Sequence, residues 1–429
     1  MGGFAKNDLA AKRGYSYRLT RRQFLIASSA AALAACGPAA VAPSASASPA
    51  ASPSATPGKT LKIGQLLPAT GVYAELGNSM KRSTELYLKM NDNKLANRPV
   101  QLIYEDDANV TATGIQKTQK FIDQDQVDVM MGVVPTPLAY GIRNAVHAAK
   151  MIFIDTNAGG NFLTRDVPNC TPACKSPYIF RASFSSYQIS YPIGDYLSAK
   201  GTKDFFLAYA NYGFGTESAA DFTTGLKKNG GSVTGNVAPP LGNADFAPFV
   251  TQIKNQPTKN IYSFFSGADA IGFIKTWNQL GLPAAGYKLY GAGFLTEQDV
   301  LKEVKDLANG IVTSLFWAVE LDNAENKKFV ADYQKQYSLL PDVFAVQQYD
   351  GMRALDEALK TLGGDTSDKD KFSKALEDVS FKSPRGDFAF DKTTHNPIQD
   401  IYIREVKTQG GQTVNTISDK VAKVTDPGK

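Results

Sequence analysis

Short apolar runs alternate with amphipathic stretches through most of this chain, and this alternation limits the fold more than any other feature. Most of the runs are continuously apolar, which is typical of strands buried on both faces by helices. Stretches between them, such as SMKRSTELYLKMNDN and GIQKTQKFIDQDQ, have the spacing of amphipathic helices. The predicted strands are residues 61–68, 100–107, 127–134, 151–158, 204–211, 260–267, 287–293 and 310–317. The alternation predicts βαβ units, and therefore an α/β fold with open parallel sheets.

The part of the chain that follows residue 59 is too long for one sheet and its core. Its roughly 370 residues exceed the size at which a single hydrophobic core stops growing. A loop that contains Pro168, Pro172 and Pro177 separates two series of strands and helices. We therefore predict two doubly wound parallel-sheet lobes.

The N-terminal stretch TRRQFLIASSAAALAAC predicts export. Its apolar run, Phe24 to Ala35, follows a basic segment and is shorter than the roughly 20 residues of a membrane span. The paired arginines resemble a twin-arginine signal, although signals of the general secretion route also carry such pairs. Leu33 to Cys36 resembles a bacterial lipobox, in which the cysteine is lipidated. We expect a signal peptide over residues 1–35.

A segment without folding potential follows the lipobox. Residues 37–59 are almost entirely Ala, Ser, Pro and Gly, so they bury too little apolar surface to offset the entropy of folding. We expect residues 36–59, beginning with lipidated Cys36, to tether the protein to the outer face of the cytoplasmic membrane. A periplasmic location is the alternative.

The charge balance gives no indication of a nucleic-acid partner. Of 46 Lys and Arg and 41 Asp and Glu residues, six basic residues and one acidic residue lie within residues 1–35. The remainder has 40 of each sign, so its formal net charge is near zero. A chain without a basic excess is not expected to bind nucleic acid.

Cysteine and histidine are too few for most metal and redox chemistry. Cys170 and Cys174 stand close together in a Pro-rich loop, and in an exported chain this spacing predicts a small local disulfide. His147 and His395 are far apart in sequence, which disfavours a zinc site and histidine-based catalysis. We expect no metal and no cofactor.

Glycine-rich and polar segments follow several predicted strands. They are PTP (135–137), NAGG (157–160), NYGFG, SGAD and GAGF. In open α/β sheets ligands bind beyond the carboxyl ends of strands, where open backbone N–H groups suit an anionic or polar ligand. Thr136 is expected to be the N-cap of the helix that follows, with Pro137 at its first position. For any single glycine, an ordinary turn is the better explanation.

No catalytic motif stands out. Gly213, Gly215 and Ser218 form only part of a nucleotide-binding fingerprint, since the third glycine is missing. The sequence contains neither G-x-S-x-G nor G-x-x-x-x-G-K-[ST]. We therefore expect a binding protein and not an enzyme.

Across residues 60–410 the sequence resembles the type I periplasmic binding proteins of the branched-chain amino-acid (Leu/Ile/Val) class, which serve ABC transporters. The resemblance is carried by LKIGQLLPATGVYAELGNSMKRSTEL, SPYIFRASFSSYQ, YGAGFLTEQDVL, PDVFAVQQYDGMRALDEAL and SPRGDFAFDKTTHNPIQDIYI. It implies two lobes joined by crossover hinge strands, which close on a small-molecule ligand and deliver it to a membrane permease. It places lobe 1 at residues 60–180, lobe 2 at 181–315, a return to lobe 1 at 316–370, and a return to lobe 2 with a C-terminal tail at 371–429. We expect a monomer.

The resemblance also implies the residues that contact the ligand. In lobe 1, Thr136 has to donate to a ligand carboxylate, because Pro135 stands where the family has serine. A second contact falls on Asn157, Ala158 and Gly159, where Gly159 replaces a common threonine. Phe184 and Phe294 fit a core position as well as a ligand contact. The remaining expected pocket positions are Tyr73, Leu76, Phe184, Tyr212, Ser266, Asp269, Gly293, Phe294 and Phe344.

One mismatch with amino-acid binders indicates a different ligand. Their glutamate that pairs with the α-ammonium falls on Gly293 in this sequence, and the tyrosine that supports it falls within 266–269, which has no aromatic residue. An unpaired buried ammonium would cost about 3–5 kcal/mol by analogy with a broken buried ion pair. An aromatic or other organic acid fits better, and several stretches are similar to those of the aromatic-acid-binding members.

Three other interpretations stay open at this stage. Asp269 could replace the missing glutamate, and the protein would then bind branched-chain amino acids. The same fold also serves ligand sensors that report to a membrane partner. An exported enzyme would need a nucleophile or base in the cleft, and the sequence offers no such constellation.

Overall fold

The computed structural model describes residues 58–166 and 175–428. The predicted signal peptide, the lipidation site Cys36, nearly all of the tether and the predicted disulfide between Cys170 and Cys174 lie outside these residues. Within the described part of the chain, no helix is both long and apolar enough to cross a membrane.

The first lobe is built on a six-stranded sheet. Its strands are β1 (Leu61–Leu67), β2 (Lys94–Leu95), β3 (Arg98–Asp106), β4 (Val129–Gly132), β5 (Ile152–Asp155) and β6 (Ile179–Arg181), in the spatial order β2-β3-β1-β4-β5-β6. All neighbours are parallel except the short β2, which is antiparallel to β3. The connecting helices are α1 (Ala74–Met90), α2 (Thr111–Lys120) and α3 (Thr136–Ala148).

The second lobe begins after β6 and contains a larger sheet. Its first helices are α4 (Ser186–Ala199), α5 (Gly213–Lys227), α6 (Ala247–Lys254), α7 (Gly267–Gln279) and α8 (Gln298–Val304). Its first strands are β7 (Asp204–Tyr209), β8 (Ser232–Val237), β9 (Asn260–Phe264), β10 (Lys288–Ala292) and β11 (Val312–Leu315). These five strands are parallel, as expected for βαβ units.

The chain then returns to the first lobe and finally to the second. The returning elements are α9 (Ala324–Tyr337), α10 (Val343–Thr361), α11 (Lys369–Glu377), β12 (Ser380–Ser383) and β13 (Gly386–Ala389). The last strands, β14 (Gln399–Gln409) and β15 (Gln412–Val424), complete the second sheet in the order β15-β14-β11-β10-β9-β7-β8. Both are antiparallel to their neighbours, so one edge of this sheet is antiparallel.

The prediction of two α/β lobes with parallel sheets is confirmed, and each of the eight predicted strands overlaps an observed one. One predicted boundary differs. The chain does not leave the first lobe at residue 371, because Phe372, Phe388 and Phe390 are buried in the same core as Leu61 and Ile152. The second-lobe strands resume only at β14.

Three crossover segments join the lobes, and one buried arginine contacts all of them. Arg385 Nη1 donates to the carbonyl oxygen of Ser183, 3.1 Å away, and to Gln399 Oε1, 2.9 Å away. Its guanidinium lies 4.6 Å from the ring centroid of Phe316 on the remaining crossover. Asp350 Oδ2 accepts from Arg385 Nε at 2.6 Å, which compensates the buried charge. Arg385 therefore links the three crossover segments that form the hinge between the lobes.

Candidate functional site

A narrow cavity lies between the lobes, at the carboxyl ends of both sheets. Its wall is formed by Tyr73, Leu76, Val134, Thr136, Asn157, Gly159, Phe184, Tyr212, Phe214, Phe264, Ser266, Phe294 and Phe344. Ten of the thirteen residues that the sequence assigned to a ligand pocket are among them.

The topology explains why these residues meet. In the first lobe most of them follow β1, β4 and β5, which are adjacent in the sheet, and in the second lobe they follow β7, β9 and β10, which are also adjacent. Phe184 follows β6, and Phe344 lies in the first turn of α10. The carboxyl ends of neighbouring parallel strands share one edge of a sheet. The predicted strands 127–134 and 151–158 extend past the observed β4 and β5, because the residues beyond each strand turn into the cavity wall.

Four helices begin at the cavity without a side-chain cap. Tyr73, Pro135, Tyr212 and Ser266 are the N-cap residues of α1, α3, α5 and α7, and none of the four accepts a capping hydrogen bond. By contrast Asp342, the N-cap of α10, accepts from the backbone N–H of Ala345. Helix N-termini carry partial positive charge and favour an anion. The effect is clearest at α3 and α5, whose first turns contain no acidic residue, whereas Glu75 and Asp269 lie in the first turns of α1 and α7.

Thr136 is the strongest polar candidate in the wall. Helix α3 begins at Thr136 itself and Pro135 is its N-cap, one residue earlier than predicted. Thr136 therefore caps no helix, and its Oγ1 is buried without a hydrogen-bond partner in the protein. A buried hydroxyl without a partner is costly, and a bound acceptor would satisfy it.

Asn157 supplies a second donor beside Thr136. Its Oδ1 accepts from Gln347 Nε2 at 2.6 Å, which fixes the orientation of the amide. Its Nδ2 makes only a long contact of 3.5 Å, to the carbonyl oxygen of Val134. Because an amide nitrogen carries two hydrogens, Asn157 retains donor capacity toward the cavity.

Tyrosines from the two lobes meet across the cavity. Tyr73 Oη donates to Tyr212 Oη at 3.0 Å. Burial raises the pKa of both phenols above the ordinary value, and the negative charge of Asp269 adds to this rise. Both hydroxyls therefore remain protonated and neutral at any physiological pH.

Further contacts hold the lobes together next to the cavity. Glu217 on α5 accepts from Tyr140 Oη and from the backbone N–H of Asn161, each at 2.5 Å. Asp221, one turn further along α5, accepts from Asn161 Nδ2 at 2.8 Å. The structure is thus a closed form, in which the second-lobe helix α5 is hydrogen-bonded to the loop after β5.

Aromatic rings form most of the apolar wall. Phe184 lies 4.9 Å from Phe294 and 5.8 Å from Phe214 between ring centroids, and Phe294 lies 5.6 Å from Phe344. Phe184 and Phe294 both line the cavity and belong to the core cluster that connects the lobes. Each is therefore a core residue and a wall residue at the same time. Such rings favour a flat apolar ligand body.

Three wall residues were not assigned from the sequence to the pocket: Val134, Phe214 and Phe264. Phe214 lies two residues after Tyr212 in NYGFG, and Phe264 ends β9 just before Ser266. Their positions next to assigned residues were the available signal. Both phenylalanines looked like ordinary core residues of a strand or helix, which they also are.

Gly159 is required by the aromatic wall. A Cβ atom at this position would lie 2.3 Å from ring carbons of both Phe184 and Phe214. The threonine that amino-acid binders commonly have there has no room in this protein. The two phenylalanine rings therefore require glycine at position 159.

Gly293 lies outside the cavity wall, unlike its predicted role. A Cβ atom there would lie 2.5 Å from both Arg404 Nη2 and Leu315 Cβ, so this position faces the second-lobe core. Arg404 donates to the carbonyl oxygen of Gly293 at 3.0 Å and to Glu297 Oε1 at 2.7 Å. A glutamate at position 293 could not be accommodated without displacing the guanidinium.

Ala158 and Asp269 also lie outside the wall. The Ala158 N–H donates to Val133 O and to Asp155 Oδ1, so the fold already uses it. Asp269 lies in the first turn of α7 and accepts from the Gly242 N–H at 2.9 Å, and its burial raises its pKa to about 6. Its negative charge contributes to the raised pKa of both Tyr73 and Tyr212.

The wall of the cavity is uncharged. None of the described residues that line the cavity has a charged side chain. Among residues 58–166 and 175–428, no three His, Cys, Asp or Glu side chains are arranged to hold a metal ion. Neutral donors, helix N-termini and aromatic rings can hold an apolar anion.

The fold and the cavity define a two-lobed protein that encloses a small ligand at its hinge. The chain matches the periplasmic binding protein family over residues 60–412, and it belongs to that family. The predicted family membership is therefore confirmed.

Solved structures and curated relatives resemble it over most of their length. A solute-binding protein of an ABC transporter from Rhodopseudomonas palustris BisB5, in complex with 3,4-dihydroxybenzoic acid, is 32% identical with a TM-score of 0.81, covering 86% of this chain and 99% of that one. Another from R. palustris, in complex with benzoate, is 33% identical with a TM-score of 0.78, covering 85% and 98%. The Leu/Ile/Val-binding protein homolog 6 of Brucella melitensis is 28% identical over 373 residues, which are 86% of this chain and 93% of that protein.

Proposed function

We propose that this protein is the extracytoplasmic solute-binding component of an ABC importer and that it closes on a small aromatic carboxylate. The observation that carries this proposal is the cavity itself. Four uncapped helix N-termini face a space walled by aromatic rings and free of charged side chains. Such a site attracts an anion at one point and an aromatic ring over the rest.

The carboxylate is expected at Thr136. Its unpartnered Oγ1 and its backbone N–H are donors at the same point of the wall. No other open N–H is available at the start of α3, since Pro135 and Pro137 have none and Leu138 N–H donates to Pro135 O. Asn157 and Gly159 lie on the neighbouring loop after β5. Hydrogen bonds from neutral donors to a charged acceptor contribute about 1.5–3 kcal/mol each. The wall residues Tyr73, Leu76, Phe184, Ser266, Phe294 and Phe344 would enclose the ring.

An α-amino acid suits this cavity poorly. The wall has no carboxylate to pair with an ammonium, and Gly293 cannot be replaced by the glutamate of amino-acid binders because Arg404 occupies that space. An unpaired buried ammonium would cost about 3–5 kcal/mol. The ligands named for the two R. palustris structures, benzoate and 3,4-dihydroxybenzoic acid, support an aromatic acid.

The other parts of the proposal concern location and partners. A lipidated Cys36 and a tether over 36–59 would keep the protein at the outer face of the membrane, where a permease receives the ligand from the closed form. Because no charged base lines the cavity, we propose that the protein binds and releases its ligand without converting it. We propose a monomer that works without a cofactor.

A thermal-shift panel tests the proposed function. We expect benzoate and hydroxybenzoates to raise the melting temperature, since a ligand at 100 times its dissociation constant adds about 2.7 kcal/mol to the free energy of unfolding. Leucine, isoleucine and valine are the matched negative ligands. A shift with leucine and none with aromatic acids would refute the proposal, and Asp269 would then be the residue to examine as the ammonium partner.

A further inference from the structure

The polar groups of the cavity occur at two separate places in its wall. Thr136 lies against the loop after β5 and the start of α5, because a Cβ at Gly160 or Gly213 would be 2.3 or 3.3 Å from its Cγ2. Tyr73 lies against the start of α7, because a Cβ at Gly267 would be 3.5 Å from its Cδ1. A ring that contacts the first place with its carboxylate therefore has a second polar place available to it.

The second place has a hydroxyl hydrogen to donate. Tyr73 Oη donates to Tyr212 Oη, so the hydrogen of Tyr212 is available for another acceptor. Among the described residues, no protein acceptor forms a hydrogen bond with Tyr212 Oη. The bond from Tyr73 polarises the Tyr212 hydroxyl and makes it a better donor.

The charge at the second place determines what it can accept. Asp269 is buried in the first turn of α7, outside the wall, and its charge acts on both tyrosine hydroxyls. No cationic side chain lines the described cavity wall. A carboxylate placed there would be repelled by Asp269, whereas a neutral hydroxyl would not. The carboxylate of the ligand consequently belongs at Thr136 and a neutral polar substituent belongs at the tyrosines.

From this arrangement we infer that the Tyr73–Tyr212 pair recognises a ring hydroxyl opposite the carboxylate, so that the protein selects 4-hydroxylated benzoates over unsubstituted benzoate. The inference rests on the proposed function and adds the specificity-determining residues. Tyr212 is the residue that donates to the ligand, and Tyr73 is the residue that orients and polarises it.

The test compares two ligands and three forms of the full chain. Wild type, Tyr212→Phe and Tyr209→Phe are titrated calorimetrically with benzoate and with 4-hydroxybenzoate. Tyr209 is a matched control, because it lies at the end of β7, is partly buried and does not line the cavity. We expect wild type and Tyr209→Phe to bind 4-hydroxybenzoate about 10-fold tighter than benzoate, as one added hydrogen bond allows.

The Tyr212→Phe variant is expected to lose the preference for 4-hydroxybenzoate, so that it binds both acids alike. Equal affinity of wild type for the two acids would overturn the inference and leave the proposed function intact. An equal loss for both acids in Tyr212→Phe would also overturn it, since Tyr212 would then contact the carboxylate. Failure of wild type to bind either acid would refute the proposed function and, with it, the inference.

Discussion

The Gly159→Thr variant is expected to lose aromatic-acid binding by at least about 100-fold, equivalent to about 2.7 kcal/mol. The new Cβ would lie 2.3 Å from rings on both Phe184 and Phe214, and the γ atoms would extend further into the wall. Overpacking of this kind usually costs about 1–3 kcal/mol, and here it also removes the space that the ligand needs. Titration of benzoate into the purified variant measures the loss.

Two variants separate this effect from a general loss of folding. Gly141→Thr introduces the same side chain on an exposed position of α3, where the nearest neighbours are side chains at 3.1 Å or more, and we expect unchanged binding. Gly159→Ala adds only the Cβ, so a smaller loss is expected. Wild-type affinity in a folded Gly159→Thr protein would show that the cavity is not where the ligand binds.

The second large effect is expected for Thr136→Val. This nearly isosteric change removes the hydroxyl that is assigned to the carboxylate, and a hydrogen bond to a charged group contributes about 1.5–3 kcal/mol. Affinity for benzoate should fall about 10- to 100-fold. The melting temperature without ligand should not fall, because Thr136 Oγ1 has no protein partner to lose.

Thr156→Val is the matched control for this prediction. Thr156 is also fully buried with an unpartnered Oγ1, but it does not line the cavity. Its replacement should leave benzoate affinity unchanged. Equal losses in the two variants would mean that the hydroxyl of Thr136 acts through packing and not through the ligand.

The strands of both lobes were predictable because most are continuously apolar and buried on both faces. The return to the first lobe was harder to place. Residues 371–390 include the end of a short helix and a hairpin, and only their tertiary contacts with Leu61 and Ile152 assign them to that lobe. The half-exposed β15 was not predicted because it contains no continuous apolar run.

The sequence predicted most of the residues that line the cavity, but it did not predict which way each residue faces. The rule that ligands bind beyond strand ends located Thr136, Asn157 and Tyr212 correctly in the wall. It could not show that Gly293 faces Arg404 and not the cavity. Which way a residue after a strand points depends on packing from both lobes, and the local sequence does not contain that information.

The central claim is that the cavity recognises an aromatic carboxylate without an ammonium, and calorimetric titration of wild type tests it most directly. The three ligands are 4-hydroxybenzoate, its neutral isostere 4-hydroxybenzamide, and leucine. Binding of 4-hydroxybenzoate about 100-fold tighter than the amide, with no heat from leucine, is the predicted result, since charged acceptors gain most from helix N-termini and donors. Equal affinity for acid and amide, or tight binding of leucine, would contradict it.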